Sequence, residues 1–83
     1  LHGATKSLAI ELASRGVTVN AVAPGIIESA MASGAFDQEA IARLVPMKRA
    51  GTPREVAELV AFLASEKAGY LSGQIISING AMA

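Results

Sequence analysis

The chain has 83 residues, no net charge and no cysteine. That excludes disulfide staples and thiolate metal sites, and gives no electrostatic reason to expect nucleic acid or a membrane surface as a partner. Hydrophobic residues make up 52% and charged residues only 17%, so a chain this short is expected to be covered by surfaces outside itself.

A helical pattern is already running at Leu1, which predicts a C-terminal fragment or a processed chain. Leu1, Thr5, Leu8 and Leu12 fall on one face of a helix over 1–15, because offsets of four, seven and eleven return to the same side. Glu11 and Arg15 stand in the favourable order for an ion pair, and Gly16 is the expected stop. Val17 to Ala23 reads as a strand. Its near-continuous apolarity predicts cover on both faces, as in a parallel sheet. Pro24-Gly25 ends it, since proline lacks a donor and glycine frees the backbone.

Residues 26–36 read as loop. Asp37 is positioned to cap a short helix over Gln38 to Leu44, which Pro46 stops. Thr52-Pro-Arg-Glu55 is a helix start: Thr52 as N-cap, Pro53 at the first position and Glu55 closing a capping box. This helix is predicted to run to about Ser65, with Val56, Leu59, Val60 and Leu63 on its core face. Gln74 to Ile78 reads as a final strand, ended by Asn79-Gly80. Two apolar strands joined by a helical crossover make a right-handed βαβ unit. No apolar run approaches the roughly 20 residues a membrane helix needs. The lack of cysteine suits a reducing compartment, and a cytoplasmic location is expected.

The quoted segments, taken together, resemble the C-terminal third of the short-chain dehydrogenase/reductase family. Lys6-Ser-Leu-Ala-Ile-Glu-Leu-Ala13 is similar to the second half of the family's catalytic helix. Val17-Thr-Val-Asn20 with Ala23-Pro-Gly25 is similar to its sixth strand and cofactor loop. Arg49-Ala-Gly-Thr-Pro-Arg-Glu-Val-Ala57 with Val60-Ala-Phe-Leu-Ala-Ser65 is similar to its last helix. Tyr70-Leu-Ser-Gly-Gln74 and Ile78-Asn-Gly80 are similar to its last strand. Within the family the nearest likeness is to bacterial 3-oxoacyl-acyl-carrier-protein reductases.

The resemblance implies an α/β fold: residues 1–83 as the C-terminal part of one doubly wound, Rossmann-like parallel-sheet domain. It implies a nicotinamide cofactor, NADP(H) ahead of NAD(H), although the residues that discriminate the two follow a strand this chain lacks. Pro24 and Gly25 would shape the loop and let the backbone approach the ring. Ile27 would offer its backbone to the carboxamide, and Ser29 would stand where the family usually has threonine. The loop would orient one face of the ring toward a substrate carbonyl. The family's Gly-rich phosphate loop and catalytic Ser, Tyr and Lys have no counterpart here, so no catalytic residue is assigned. By register, the Lys would lie just upstream of Leu1 and the Tyr one turn earlier. The implied substrate is a 3-oxoacyl thioester, with acyl carrier protein as a possible partner and a homotetramer or homodimer as the assembly. Residues 26–45 would act as a lid that closes over the cofactor, with Met31, Phe36 and Met47 either lining an acyl pocket or pinning the lid.

Other polar groups invite sharper readings that the pattern does not favour. His2 and Lys6 mimic a Tyr-x-x-x-Lys pair but read as helix-surface residues. Tyr70 has Gln74 rather than a lysine four residues on, and reads as packing beside the last strand. Asn20 reads as satisfying backbone groups at a strand end. Glu28 has no neighbouring ligand and reads as solvated, so no metal site is assigned. Arg15, Lys48 and Arg49 read as solvated cations, with an acidic carrier protein as the sharper alternative. Two rivals stay open: another short-chain dehydrogenase, for a sugar, alcohol or steroid, and a non-catalytic assembly module.

Overall fold

A computed structural model of the chain describes residues 1–28 and 38–82. The described elements are α1 (His2–Leu12), a 3₁₀ turn (Ala13–Arg15), β1 (Ala21–Pro24), α2 (Gln38–Leu44), α3 (Pro53–Leu63), a second 3₁₀ turn (Glu66–Ala68) and β2 (Ile75–Ile78). β1 and β2 pair in a two-stranded sheet. The Ala21 N–H donates to the Gln74 carbonyl at 2.9 Å and the Gly25 N–H to that of Ile78 at 3.0 Å. Both partners advance by the same step, so the strands are parallel. The fold is α/β with a small parallel sheet.

The chain divides into two compact units, one of Leu1–Val22 with Glu58–Ile76 and one of Ala23–Ala57 with Ser77–Ala83. In the first, α1 buries Thr5 and Ala9, while Leu8 and Ile10 are exposed. The buried face keeps Thr5 of the predicted row and turns toward the small Ala9, leaving Leu1 and Leu8 exposed. The cause is its neighbour: Gly73 approaches closely enough that a side chain there would touch the Ala9 Cβ at 3.5 Å. Thr5 keeps its buried hydroxyl satisfied by donating to the Leu1 carbonyl at 2.8 Å. Gly16 adopts the left-handed conformation (φ 71°) and donates to Ala13. The chain tightens to 3₁₀ over Ala13–Arg15, which removes the α-helical i,i+4 alignment, and no ion pair forms between Glu11 and Arg15.

The predicted strand over Val17–Ala23 is regular only from Ala21. Upstream, side chains stand in for ladder bonds. The Val19 N–H donates to the Ser72 hydroxyl at 3.0 Å, and Asn20 donates to the Leu71 carbonyl while accepting from the Gln74 N–H. Gly73, with φ 74°, interrupts the extended partner that a ladder would need. Asn20 thus holds backbone groups at a strand end, as its position predicts.

One expectation in this unit fails. Tyr70 is fully exposed, at 104%, because Ala68 (1% exposed) fills the interior of the turn and the Leu71 N–H closes on the Ala68 carbonyl. Tyr70 is left at the tip. α3 has no buried residue, but Val56, Leu59 and Leu63 of its predicted core face are half-buried, while Val60 is exposed.

In the second unit α2 buries Ile41, and Val45 just beyond it is the best-buried side chain, at 2%. The α3 N-terminus carries the expected capping box. The Glu55 N–H donates to Thr52 Oγ1 at 3.1 Å, and the Thr52 N–H donates to Glu55 Oε1 at 2.9 Å. After β2 the chain turns at Asn79–Gly80. There the Met47 N–H donates to the Gly80 carbonyl and the Ala81 N–H to Asn79 Oδ1.

Candidate functional site

All the described residues around the predicted cofactor loop lie in the second unit. β1 delivers Pro24 as its last residue, and Gly25 remains hydrogen-bonded to the end of β2. The chain then forms one parallel bridge, Ile27 to Gly51. The Gly51 N–H donates to the Ile26 carbonyl at 2.9 Å, and the Glu28 N–H donates to the Gly51 carbonyl at 2.8 Å. In a parallel bridge the bonds come from the residues flanking the bridged one. The N–H and C=O of Ile27 itself therefore do not enter the bridge and face the other way.

A cavity of about 400 Å³ lies here, with Ile26, Ile27 and Gly51 on one side and Ser77 to Ala81 on another. Arg49 and Glu55 complete its polar wall, and Met47 is exposed at its edge. Pro24, Gly25 and Ile27 are thus held in one loop, with Ile27 at the cavity. Ser29, Met31, Phe36 and Asp37 lie outside the described residues. His2 and Lys6 belong to the other unit. Lys6 is not merely solvated: its Nζ donates to the Gly73 carbonyl at 3.2 Å.

Sequence reasoning missed the chemistry of Arg49, read as a solvated cation. Its guanidinium grips both oxygens of Glu55, Nη1 to Oε1 and Nη2 to Oε2, each at 2.9 Å. Nη1 also donates to the Ala50 carbonyl. The signal was present in the capping box. A glutamate at that position spends one oxygen on the cap and leaves another acceptor facing the residues before it. Arg49 is close enough in sequence to reach it.

The Arg49 hydrogen bonds, with that of the Thr52 N–H, hold the Glu55 carboxyl down to about 2 from 4.5, and Glu55 in turn raises the Arg49 guanidinium. The folded state favours the carboxylate. This contribution to stability is therefore complete above about pH 4.5 and is lost as the pH falls toward about 2. Both side chains are about half exposed, so the effect is small. The expected result is a gap in Tm between wild type and Glu55→Gln at neutral pH that narrows through this acid window. A gap independent of pH would refute it.

Over residues 1–82 the chain matches the family model described as enoyl-(acyl carrier protein) reductase. It is 54% identical over 82 residues to a 3-oxoacyl-(acyl-carrier-protein) reductase of Vibrio cholerae, covering 96% of this chain and 34% of that protein. A similarly named Rickettsia bellii protein is 51% identical over 84 residues, covering 99% of this chain and 35% of the relative. Nodulation protein G of a Rhizobium species is 53% identical over 83 residues, at 98% and 34%. The chain belongs to the short-chain dehydrogenase/reductase family. It spans 34–35% of the length of these relatives. Among the described residues of this short-chain dehydrogenase/reductase chain, no cluster of three potential metal ligands occurs, and no helix is long and apolar enough to cross a membrane.

Proposed function

We propose that this chain forms the C-terminal part of a doubly wound, nicotinamide-dependent carbonyl reductase that converts a 3-oxoacyl thioester to its 3-hydroxyacyl product. The observation that carries the reading is the bridge to Gly51, which fixes the Ile26–Glu28 backbone and leaves the Ile27 N–H and C=O unused by it. A nicotinamide carboxamide presents one carbonyl and one amino group, and a free N–H beside a free C=O is complementary to that pair. When bound, the reduced nicotinamide supplies the hydride for the carbonyl carbon. This chain's residues bind and orient. Pro24 and Gly25 bring the backbone to the ring, Ile27 holds the carboxamide, and the Ser29 hydroxyl adds a donor to the same group. The proton donor would come from a Tyr assisted by a Lys upstream of Leu1.

NADP(H), an acyl-carrier-protein-bound substrate in fatty acid synthesis, a cytoplasmic setting and a homotetramer complete the proposal. The activity for which the Vibrio cholerae and Rickettsia bellii relatives are named supports the substrate class.

Two measurements on the intact protein test it. Ile27→Pro removes the N–H and is expected to weaken cofactor binding about tenfold, the loss of one well-made hydrogen bond. Ile27→Ala keeps the backbone groups and should have a smaller effect, and Ser29→Ala should fall between. Unchanged affinity and turnover in both Ile27→Pro and Ser29→Ala would sink the site. The family model's description favours one second reading, reduction of an enoyl thioester. Faster cofactor oxidation with trans-2-enoyl than with 3-oxoacyl thioesters selects that reading.

A further inference from the structure

The cavity wall holds an ion pair with no role in the carbonyl chemistry proposed above. Arg49 and Glu55 are 55% and 41% exposed, and pairs this exposed add little to stability. Their placement, however, brackets Gly51. Arg49 Nη1 donates to the Ala50 carbonyl at 3.1 Å. The Glu55 Oε1 that accepts from Arg49 also accepts the Thr52 N–H at 2.9 Å. The peptide groups on both sides of Gly51 are therefore tied to one bidentate pair, whose two parallel bonds fix direction as well as distance. Gly51 passes that constraint on, because it bonds Ile26 and Glu28 on either side of Ile27. The Ile27 side chain also packs over Gly51: a Cβ there would lie 2.9 Å from Ile27 Cδ1.

We infer that the Arg49–Glu55 pair is a clamp that positions the Ile27 peptide groups for the nicotinamide carboxamide. The inference rests on the cofactor reading given above. Arg49 and Glu55 are positioning residues in this scheme: they act on Ile27 through Ala50, Gly51 and Thr52.

The test measures cofactor Kd by fluorescence of the bound reduced dinucleotide, and Tm without cofactor, in the intact protein. Glu55→Gln keeps an acceptor for the Thr52 N–H but loses the charged fork. It should weaken binding about fivefold, a smaller loss than the roughly 10²-fold that misplacement at a reacting centre can cause, while lowering Tm only by the small, acid-sensitive gap described above. Arg49→Met should match it, and Arg49→Lys should recover only part, because an ammonium cannot make two parallel bonds. Asn20→Ala removes two backbone contacts in the other unit. It should lower Tm without moving Kd. If Ile27→Pro weakens binding while Glu55→Gln and Arg49→Met do not, the clamp is wrong and the loop reading stands. If Ile27→Pro also leaves Kd unchanged, both fall. A loss of affinity in Asn20→Ala equal to that in Glu55→Gln also overturns the clamp, since general destabilisation then explains the effect.

Discussion

Replacing Gly80 with alanine is expected to cost roughly 2–5 kcal/mol of folding stability, from two sources that add. Gly80 sits at φ +61°, where an L side chain costs about 1–2 kcal/mol. A Cβ there would also lie 2.7 Å from Val45 Cγ1. Val45 is 2% exposed and β-branched, so it has neither space nor rotamers with which to retreat, and overpacking of this kind costs about 1–3 kcal/mol. Denaturant midpoints should show the loss. The double variant Gly80→Ala, Val45→Ala should be less destabilised than the sum of the single changes, because the second change removes the steric cost and leaves the torsional one. Strict additivity would show that the two sites do not meet.

Gly25→Ala is expected to damage stability and cofactor binding together. The new Cβ would lie 2.7 Å from Asn79 Cβ, 3.0 Å from Asn79 Cα and 3.2 Å from Met82 Cε. The methionine end can move aside, but the Asn79 backbone cannot do so cheaply. Asn79 accepts from the Ala81 N–H through Oδ1 and from the Met82 N–H through its carbonyl. Gly25 itself is bonded to the carbonyl of Ile78. One of the two segments must shift, at about 1–3 kcal/mol, and the Gly25 side leads directly to Ile27. Adding Met82→Ala should relieve little of the effect. A Gly25→Ala protein with wild-type stability would show that the approach of Gly25 to Asn79 is looser than described. One with normal stability and weaker cofactor binding would assign Gly25 to the ring rather than to the turn.

Features decided by neighbours in sequence were legible before the structure. The Thr52–Glu55 capping box, the glycine stop at Gly16 and the short helix over Gln38–Leu44 depend on a few adjacent residues, and each appears where the pattern places it. Asn20 was legible because a lone amide at the edge of an apolar strand must find backbone partners.

Features decided at long range were not legible. The buried side of α1 is Thr5 and Ala9 because Gly73, far along the chain, comes close to it. A hydrophobicity count favours the leucines instead. Tyr70 reads as a packing residue by its aromatic ring, yet Ala68 takes the interior place. For the candidate site, the loop itself was marked by Pro24-Gly25, but its real constraints are Asn79 against Gly25 and Gly51 against Ile27. Neither partner is a neighbour in sequence. Gly25, read first as room for a ring to approach, has a packing reason of its own in the turn after β2.

The bridge at Ile27 and Gly51 has one more consequence, for how such a chain diversifies. The two ends of the stretch from Glu28 to Ala50 are tied together there, like the mouth of a drawstring bag. Loop-closure entropy grows slowly, at about 0.6 kcal/mol for each doubling of length, so chain added ahead of the packed Ile41 and Val45 adds little to the cost of closing the loop. The mouth keeps its two hydrogen bonds whatever the contents. The enclosed stretch is then free to drift in composition and length while the Ile26–Glu28 backbone stays tied to Gly51.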